Sequence, residues 1–83
     1  MYRWIITKDN IIRNEFENSV GVCGPEKYDE LIVDNRARFS LWDDDGECYF
    51  EGTLYGNYEG FEPLDDFGLA YGCTGIKLNG EWL

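Results

Sequence analysis

The chain has 83 residues, enough for one modest hydrophobic core, and we predict a single domain over residues 1–83. Its formal net charge of −10 disfavours direct binding to nucleic acid or to an anionic membrane. Trp, Tyr and Phe make up 17% of the residues, which excludes an acidic disordered segment. The composition therefore indicates a folded acidic protein whose natural partner is a basic surface.

The sequence has no apolar run near the roughly 18 residues that a membrane helix requires. The N-terminus also lacks the basic and then apolar pattern of a signal peptide, so we predict a cytoplasmic protein. Cys23, Cys48 and Cys73 are odd in number. In a reducing compartment they predict free thiols rather than a disulfide framework.

The first 36 residues predict mixed structure. Residues 2–7 are rich in β-branched and aromatic side chains and predict a first strand. Residues 11–16 fit a second strand or a short helix equally well, and residues 18–24 predict a loop. Pro25 begins the best helix candidate, residues 25–33, which we expect to lie across the core face of the hairpin at residues 39–54.

Residues 39–54 predict a β-hairpin, because two alternating apolar and polar runs flank the turn-forming Asp45-Gly46 pair. Alternation sends one set of side chains to the core and the other to solvent. The core set is Phe39, Leu41, Cys48, Phe50 and Leu54, and the outward set is Arg38, Ser40, Trp42, Glu47, Tyr49 and Glu51. The loop could have two or four residues, and a four-residue loop would place Arg38 opposite Glu51.

The remaining chain predicts an irregular loop over residues 55–63 and one helical turn after it, with Leu64 and Phe67 inward. Residues 73–78 predict a strand, which Asn79-Gly80 turns into the closing segment 81–83. Together these elements predict an α+β fold: an antiparallel sheet of four to five strands with one short helix packed on one face.

Catalytic and metal-binding residue types are scarce. The sequence contains no histidine, the commonest general base and metal ligand, so we expect no enzymatic activity. Three cysteines without histidine do not complete an ordinary zinc site. An EF-hand alignment of the turn at residues 43–47 leaves Leu41 and Gly52 at the first and twelfth ligand positions. We therefore expect no metal and no cofactor, and the turn is either an ordinary solvated turn or a recognition element.

Acidic residues concentrate in the second half of the chain. Residues 1–36 carry seven acidic and five basic residues, a net charge of −2, whereas residues 37–83 carry ten and two, a net charge of −8. Such asymmetry is typical of an interaction surface. The candidate partner-binding carboxylates are Asp43, Asp44, Asp45, Glu47, Glu51, Glu59, Glu62, Asp65 and Asp66, with Trp42 and Tyr49 as anchoring rings.

These carboxylates fall into two groups along the sequence. One is the turn at residues 43–47, and the other lies between residues 59 and 66, interleaved with aromatic side chains. The second group could simply begin a helix over buried rings. Alternatively, both groups form one acidic band that presents negative charge as densely as DNA does to the Lys and Arg of a DNA-binding groove.

Four motifs carry a family resemblance over about residues 38–83: DDDGECYFEG from Asp43, FEPLDDFG from Phe61, GCT from Gly72 and the closing GEW from Gly80. In this order they resemble a pattern in small acidic proteins of phages and bacterial mobile elements. Proteins of this class include anti-CRISPR and other anti-defence inhibitors, some of them DNA mimics. The resemblance implies a setting and a class of partner, and it transfers no functional residue.

Two hypotheses follow. In the first, the protein is a phage- or mobile-element-encoded inhibitor that blocks the basic DNA-binding surface of a host complex, such as a CRISPR–Cas effector, by acidic DNA mimicry. In the second, it is a small acidic structural or regulatory interaction module, for instance a homodimer formed through the C-terminal strand edge. A cation-binding module is a third interpretation, which a calcium-dependent rise in melting temperature would support.

Overall fold

The computed structural model describes residues 2–11, 18–25 and 35–83. These residues form six strands, one α-helix and one 3₁₀ helix. In chain order the elements are β1 (Tyr2–Asp9), β2 (Cys23–Gly24), β3 (Arg36–Trp42), β4 (Cys48–Gly56), α1 (Glu62–Asp66), the 3₁₀ helix (Gly68–Tyr71), β5 (Gly75–Leu78) and β6 (Glu81–Trp82).

The six strands form one sheet in the order β2-β1-β4-β3-β5-β6, and every neighbouring pair is antiparallel. The predicted antiparallel sheet is confirmed, but it has six strands, whereas four to five were predicted. The described residues are mostly β, and α1 has only five residues. The α+β assignment therefore holds only loosely.

The predicted hairpin is confirmed: β3 and β4 pair antiparallel, and they lie at the centre of the sheet. Its loop, residues 43–47, joins Trp42 at the end of β3 to Cys48 at the start of β4. Phe39, Leu41 and Phe50 are buried, and the intervening residues point to the other face.

The sequence left the hairpin register open between a two-residue and a four-residue loop. Arg38 lies opposite Thr53, the pairing that a two-residue loop implies, and not opposite Glu51. A register shift after Leu41 then leaves five residues, 43–47, in the loop. The same irregularity changes the environment of Tyr49, which was expected to face outward. Its ring instead packs against the buried core, 6.5 Å from the ring of Phe50.

The first strand was predicted too short and β2 was missed. β1 continues to Asp9, whose carboxylate accepts the backbone N–H groups of Ile11 (3.0 Å) and Ser19 (2.8 Å). β2 pairs with β1 through Gly24 opposite Trp4. A Cβ atom at Gly24 would lie 2.7 Å from the Trp4 indole, so only glycine lets the strand approach this ring.

One face of the sheet is covered by α1 and the 3₁₀ helix. Leu64 and Phe67 are buried there, as predicted, and Pro63 occupies the first turn of α1. The Phe67 ring lies 5.3 Å from Trp4 and 4.8 Å from Phe50, so β1, β4 and the residue that ends α1 meet at one aromatic cluster. The core therefore lies between the sheet and residues 62–73.

The predicted turn at Asn79-Gly80 is confirmed, and it joins β5 to β6. Asn79 and Gly80 both have positive φ (51° and 85°), which is the type I′ geometry favoured by an Asn-Gly pair. β5 begins at Gly75, so Thr74 precedes the strand, and Ile76 is fully buried.

Two predicted segments, the helix at residues 25–33 and the ambiguous stretch at residues 11–16, lie almost wholly outside the described residues. In the part of the chain that the structure describes, no helix is long and apolar enough to span a membrane.

Candidate functional site

The loop between β3 and β4, residues 43–47, is named the acidic turn because it contains Asp43, Asp44, Asp45 and Glu47. Its backbone closes through the Asp43 N–H, which donates to the Glu47 carbonyl at 3.0 Å, and through the Gly46 N–H, which approaches the Asp43 carbonyl at 3.4 Å. Gly46 has a φ of 81°, which a residue with a side chain adopts only at a cost.

Asp43 holds this turn together. One of its carboxylate oxygens accepts the backbone N–H groups of Glu47 (2.8 Å) and Asp45 (2.9 Å). Hydrogen bonds to the ionised form favour it, and the donors, Glu47 first, hold the pKa of Asp43 below its ordinary value. Asp43 is therefore committed to the fold of the turn.

The other three carboxylates of the acidic turn are exposed. Asp44 accepts a hydrogen bond from the Thr74 hydroxyl at 2.6 Å, which ties the turn to the segment before β5. Asp45 and Glu47 accept no side-chain hydrogen bond and form no ion pair within the described residues. The turn thus presents two unengaged carboxylates and a third held by one hydroxyl.

The two predicted anchoring rings are partly used inside the protein. Trp42 is half-buried, and its ring lies 5.5 Å from that of Trp82. The Lys77 ammonium lies 4.5 Å from the Trp42 ring and 4.8 Å from the Trp82 ring. Trp82 is 57% exposed and is therefore more accessible than Trp42. The sequence analysis placed Trp82 in the short closing segment and did not select it as a binding residue.

Tyr49 offers less contact area than the sequence implied, because it packs against the core. Its hydroxyl interacts with the Asp43 carboxylate, which raises the pKa of Tyr49. Cys48, expected in the core, is half-buried instead, and burial raises the pKa of its thiol. Cys73 is buried, with its pKa raised to about 11 by burial. All three cysteines are free thiols.

The second carboxylate group surrounds α1. Glu62 accepts the backbone N–H groups of Glu59 and Gly60, each at 2.7 Å, so it fixes the entry to the helix. Asp66 accepts the Tyr2 hydroxyl at 2.7 Å and the indole N–H of Trp4 at 3.1 Å; these two contacts are with β1. Glu59 and Asp65 are exposed.

The sequence left open whether the two acidic groups form one band, and in the structure they lie toward opposite ends of β4. Asp66 contacts Tyr2, which pairs with Gly56 at the end of β4. The acidic turn immediately precedes Cys48, at the opposite end of the same strand. The core rings lie between the two groups because residues 67–73 cross the sheet from one end to the other.

Basic residues occupy the sheet face that α1 does not cover, named the open face. It carries all five Lys and Arg side chains of the described residues: Arg3, Lys8, Arg36, Arg38 and Lys77. The predicted carboxylate Glu51 also lies on it and pairs with Lys8 at 3.7 Å. The described charges are therefore segregated, with most of the carboxylates away from the open face.

Among residues 2–11, 18–25 and 35–83, no cluster of three or more Cys, Asp or Glu side chains has an arrangement that could hold a metal ion. Comparison with known proteins found no match to a family model, a curated protein or a solved structure.

Proposed function

We propose that this protein is an inhibitor that binds the basic, DNA-binding surface of a host protein complex by acidic mimicry of DNA. The observation that supports this proposal most directly is the acidic turn: four carboxylates in five consecutive residues, with no cationic partner among the described residues. Duplex DNA presents one charge per about 1.7 Å of axis, and a turn of this composition offers Lys and Arg a comparable density.

The proposed setting follows from the resemblance to small acidic proteins of phages and mobile elements. In that setting the target is a defence complex of the bacterial cytoplasm, and CRISPR–Cas effectors are the first to be tested. Binding depends on charge complementarity, so association is fast at low salt and weakens as salt rises. The protein acts by occupying a site and performs no chemistry.

The test is capture from a bacterial lysate with the tagged protein and elution in a salt gradient. Asp45→Asn/Glu47→Gln removes two charges from the acidic turn while keeping the shape of both side chains and sparing Asp43, which holds the turn. We expect wild type to retain a DNA-binding complex and this variant to release it at clearly lower salt.

The matched control is Glu59→Gln/Asp65→Asn, which removes the same charge from two exposed residues near α1. It should release the complex at nearly the wild-type salt concentration. Equal loss of binding in both double variants would show that net charge alone governs capture, and the acidic turn would then have no special role.

A second candidate is an interaction module that self-associates through β6. This edge strand has only two residues, and one of them, Trp82, is 57% exposed. A mass measurement by sedimentation would support this candidate if wild type were dimeric and Trp82→Ala monomeric.

A further inference from the structure

Arg36 and Arg38 line a cleft on the open face that the acidic turn does not reach. The cleft has a volume of about 430 Å³, within the range of about 300–1,000 Å³ that is common for small-molecule sites. Its lining residues are Arg36, Ala37, Arg38, Thr53, Tyr55 and Asn79. Among the residues that the structure describes, this lining contains no carboxylate.

The sheet brings the two arginines to the same side. Arg36 pairs with Tyr55 and Arg38 with Thr53 across the β3–β4 ladder, so each guanidinium has a hydroxyl-bearing residue opposite it. Residues two apart on a strand share a face, which leaves two like charges as neighbours. Within the described residues neither arginine forms an ion pair, so an anion would relieve their repulsion.

The floor of the cleft is held by backbone contacts. The Arg38 N–H donates to the Asn79 side-chain oxygen at 3.1 Å, and the Asn79 N–H donates to the Arg38 carbonyl at 2.7 Å. These bonds fix the β5–β6 turn against β3 and direct the amide oxygen of Asn79 away from a ligand. The remaining polar groups are guanidiniums, hydroxyls and an amide NH₂, all of which can donate.

We propose that Arg36, Arg38, Thr53, Tyr55 and Asn79 bind the phosphate group of a small ligand of nucleotide size. Arginine forks pair with phosphate through two parallel hydrogen bonds, and phosphate has enough acceptor oxygens for the hydroxyls and the amide as well. A polynucleotide is the poorer fit, because the net charge of −10 opposes a ligand that extends beyond the cleft. This site is independent of the proposed inhibitory function.

The test is an NMR titration of the full chain with inorganic phosphate, adenosine monophosphate and, at matched ionic strength, chloride. We expect saturable shifts of the Arg36, Arg38, Thr53 and Asn79 amides with both phosphates and no saturable shift with chloride. Arg36→Lys and Arg38→Lys keep the charge but lose the fork, and each should weaken phosphate binding by about tenfold.

Lys8→Ala is the matched control, because Lys8 lies on the open face outside the cleft lining and is paired with Glu51. It should leave phosphate affinity unchanged, as should Asp45→Asn/Glu47→Gln in the acidic turn. Unchanged affinity in the Arg→Lys variants, or shifts that never saturate, would overturn the site. Tighter binding of a short single-stranded oligonucleotide than of adenosine monophosphate would overturn the small-ligand assignment.

Discussion

Asp43 accepts two backbone N–H groups within its own turn, and Asp66 accepts a hydroxyl and an indole N–H from β1. Both residues are acidic members of the predicted binding set, yet both carboxylates have partners in the fold. Because the pKa of Asp43 is lowered in the folded protein, its contribution to stability is present above its ordinary pKa. That contribution is lost as pH falls through the lowered pKa.

Tyr2 gives a prediction at alkaline pH. Its hydrogen bond to Asp66 raises the pKa of Tyr2 to about 12, above the ordinary value of 10.0. The raised pKa means that the bond stabilises the folded state fully below pH 10 and that this stabilisation is lost between pH 10 and 12. Tyr2→Phe should therefore lower the free energy of unfolding at pH 7 by up to about 1 kcal/mol, less if solvent screens the exposed bond.

Urea unfolding at several pH values measures this difference. The gap between wild type and Tyr2→Phe should be constant up to about pH 10 and should narrow toward pH 12. Tyr55→Phe is the control, since no hydrogen bond of the Tyr55 hydroxyl is present within the described residues. A gap that stays constant to pH 12 would contradict the assigned role of the Tyr2 hydroxyl.

The segment that covers the sheet is the element on which the core depends most. The buried ring of Phe67 contacts the rings of Trp4, Phe50 and Tyr71, at 5.3, 4.8 and 4.8 Å. Phe67→Ala should lower the free energy of unfolding by about 3–5 kcal/mol, and the milder Phe67→Leu should lower it by less than about 1.5 kcal/mol.

Phe61→Ala is the matched control, because it removes the same side chain from a position that is 45% exposed at the start of the same segment. Its effect on denaturant unfolding should be no more than about 0.5 kcal/mol. Equal losses at residues 61 and 67 would mean that the segment does not form the core layer.

Elements with strong local signals could be predicted from the sequence. The alternation around residues 39–54 and the Asn79-Gly80 pair specify their hairpins locally, and Pro63 specifies the start of α1. β2 could not be predicted, because a strand of two residues has no periodicity. Gly24 is required there only because the Trp4 ring, distant in sequence, leaves no room for a Cβ atom. The pairing of β1 with β4 and the shift after Leu41 arise from long-range packing, which local patterns do not encode.

At the scale of the whole molecule, only part of the charge segregation could be predicted from the sequence. The acidic excess of residues 37–83 was clear. In the fold the two carboxylate groups lie toward opposite ends of β4, and strand pairing gathers the described basic residues on the open face. The signal for the basic cleft was present: Arg36 and Arg38 are two apart in a strand that alternates with buried residues. Their neighbours across the sheet depend on the register, which the sequence left open.

Because of this segregation, opposite ends of the central hairpin carry opposite charge. The acidic turn lies beyond one end of the central hairpin, and the arginine cleft lies toward the other end of β3. A basic partner would be steered to the turn, and a small anion to the cleft, so the two proposed sites can act independently.

The central claim is that carboxylates of the acidic turn take the place of DNA phosphates, and competition for the captured complex tests it most directly. Its binding to labelled duplex DNA would be titrated with this protein at several salt concentrations. We predict competitive displacement of the DNA, with an apparent affinity that falls as salt rises and that drops further in Asp45→Asn/Glu47→Gln. Simultaneous binding of DNA and protein, or an affinity independent of salt, would contradict DNA mimicry.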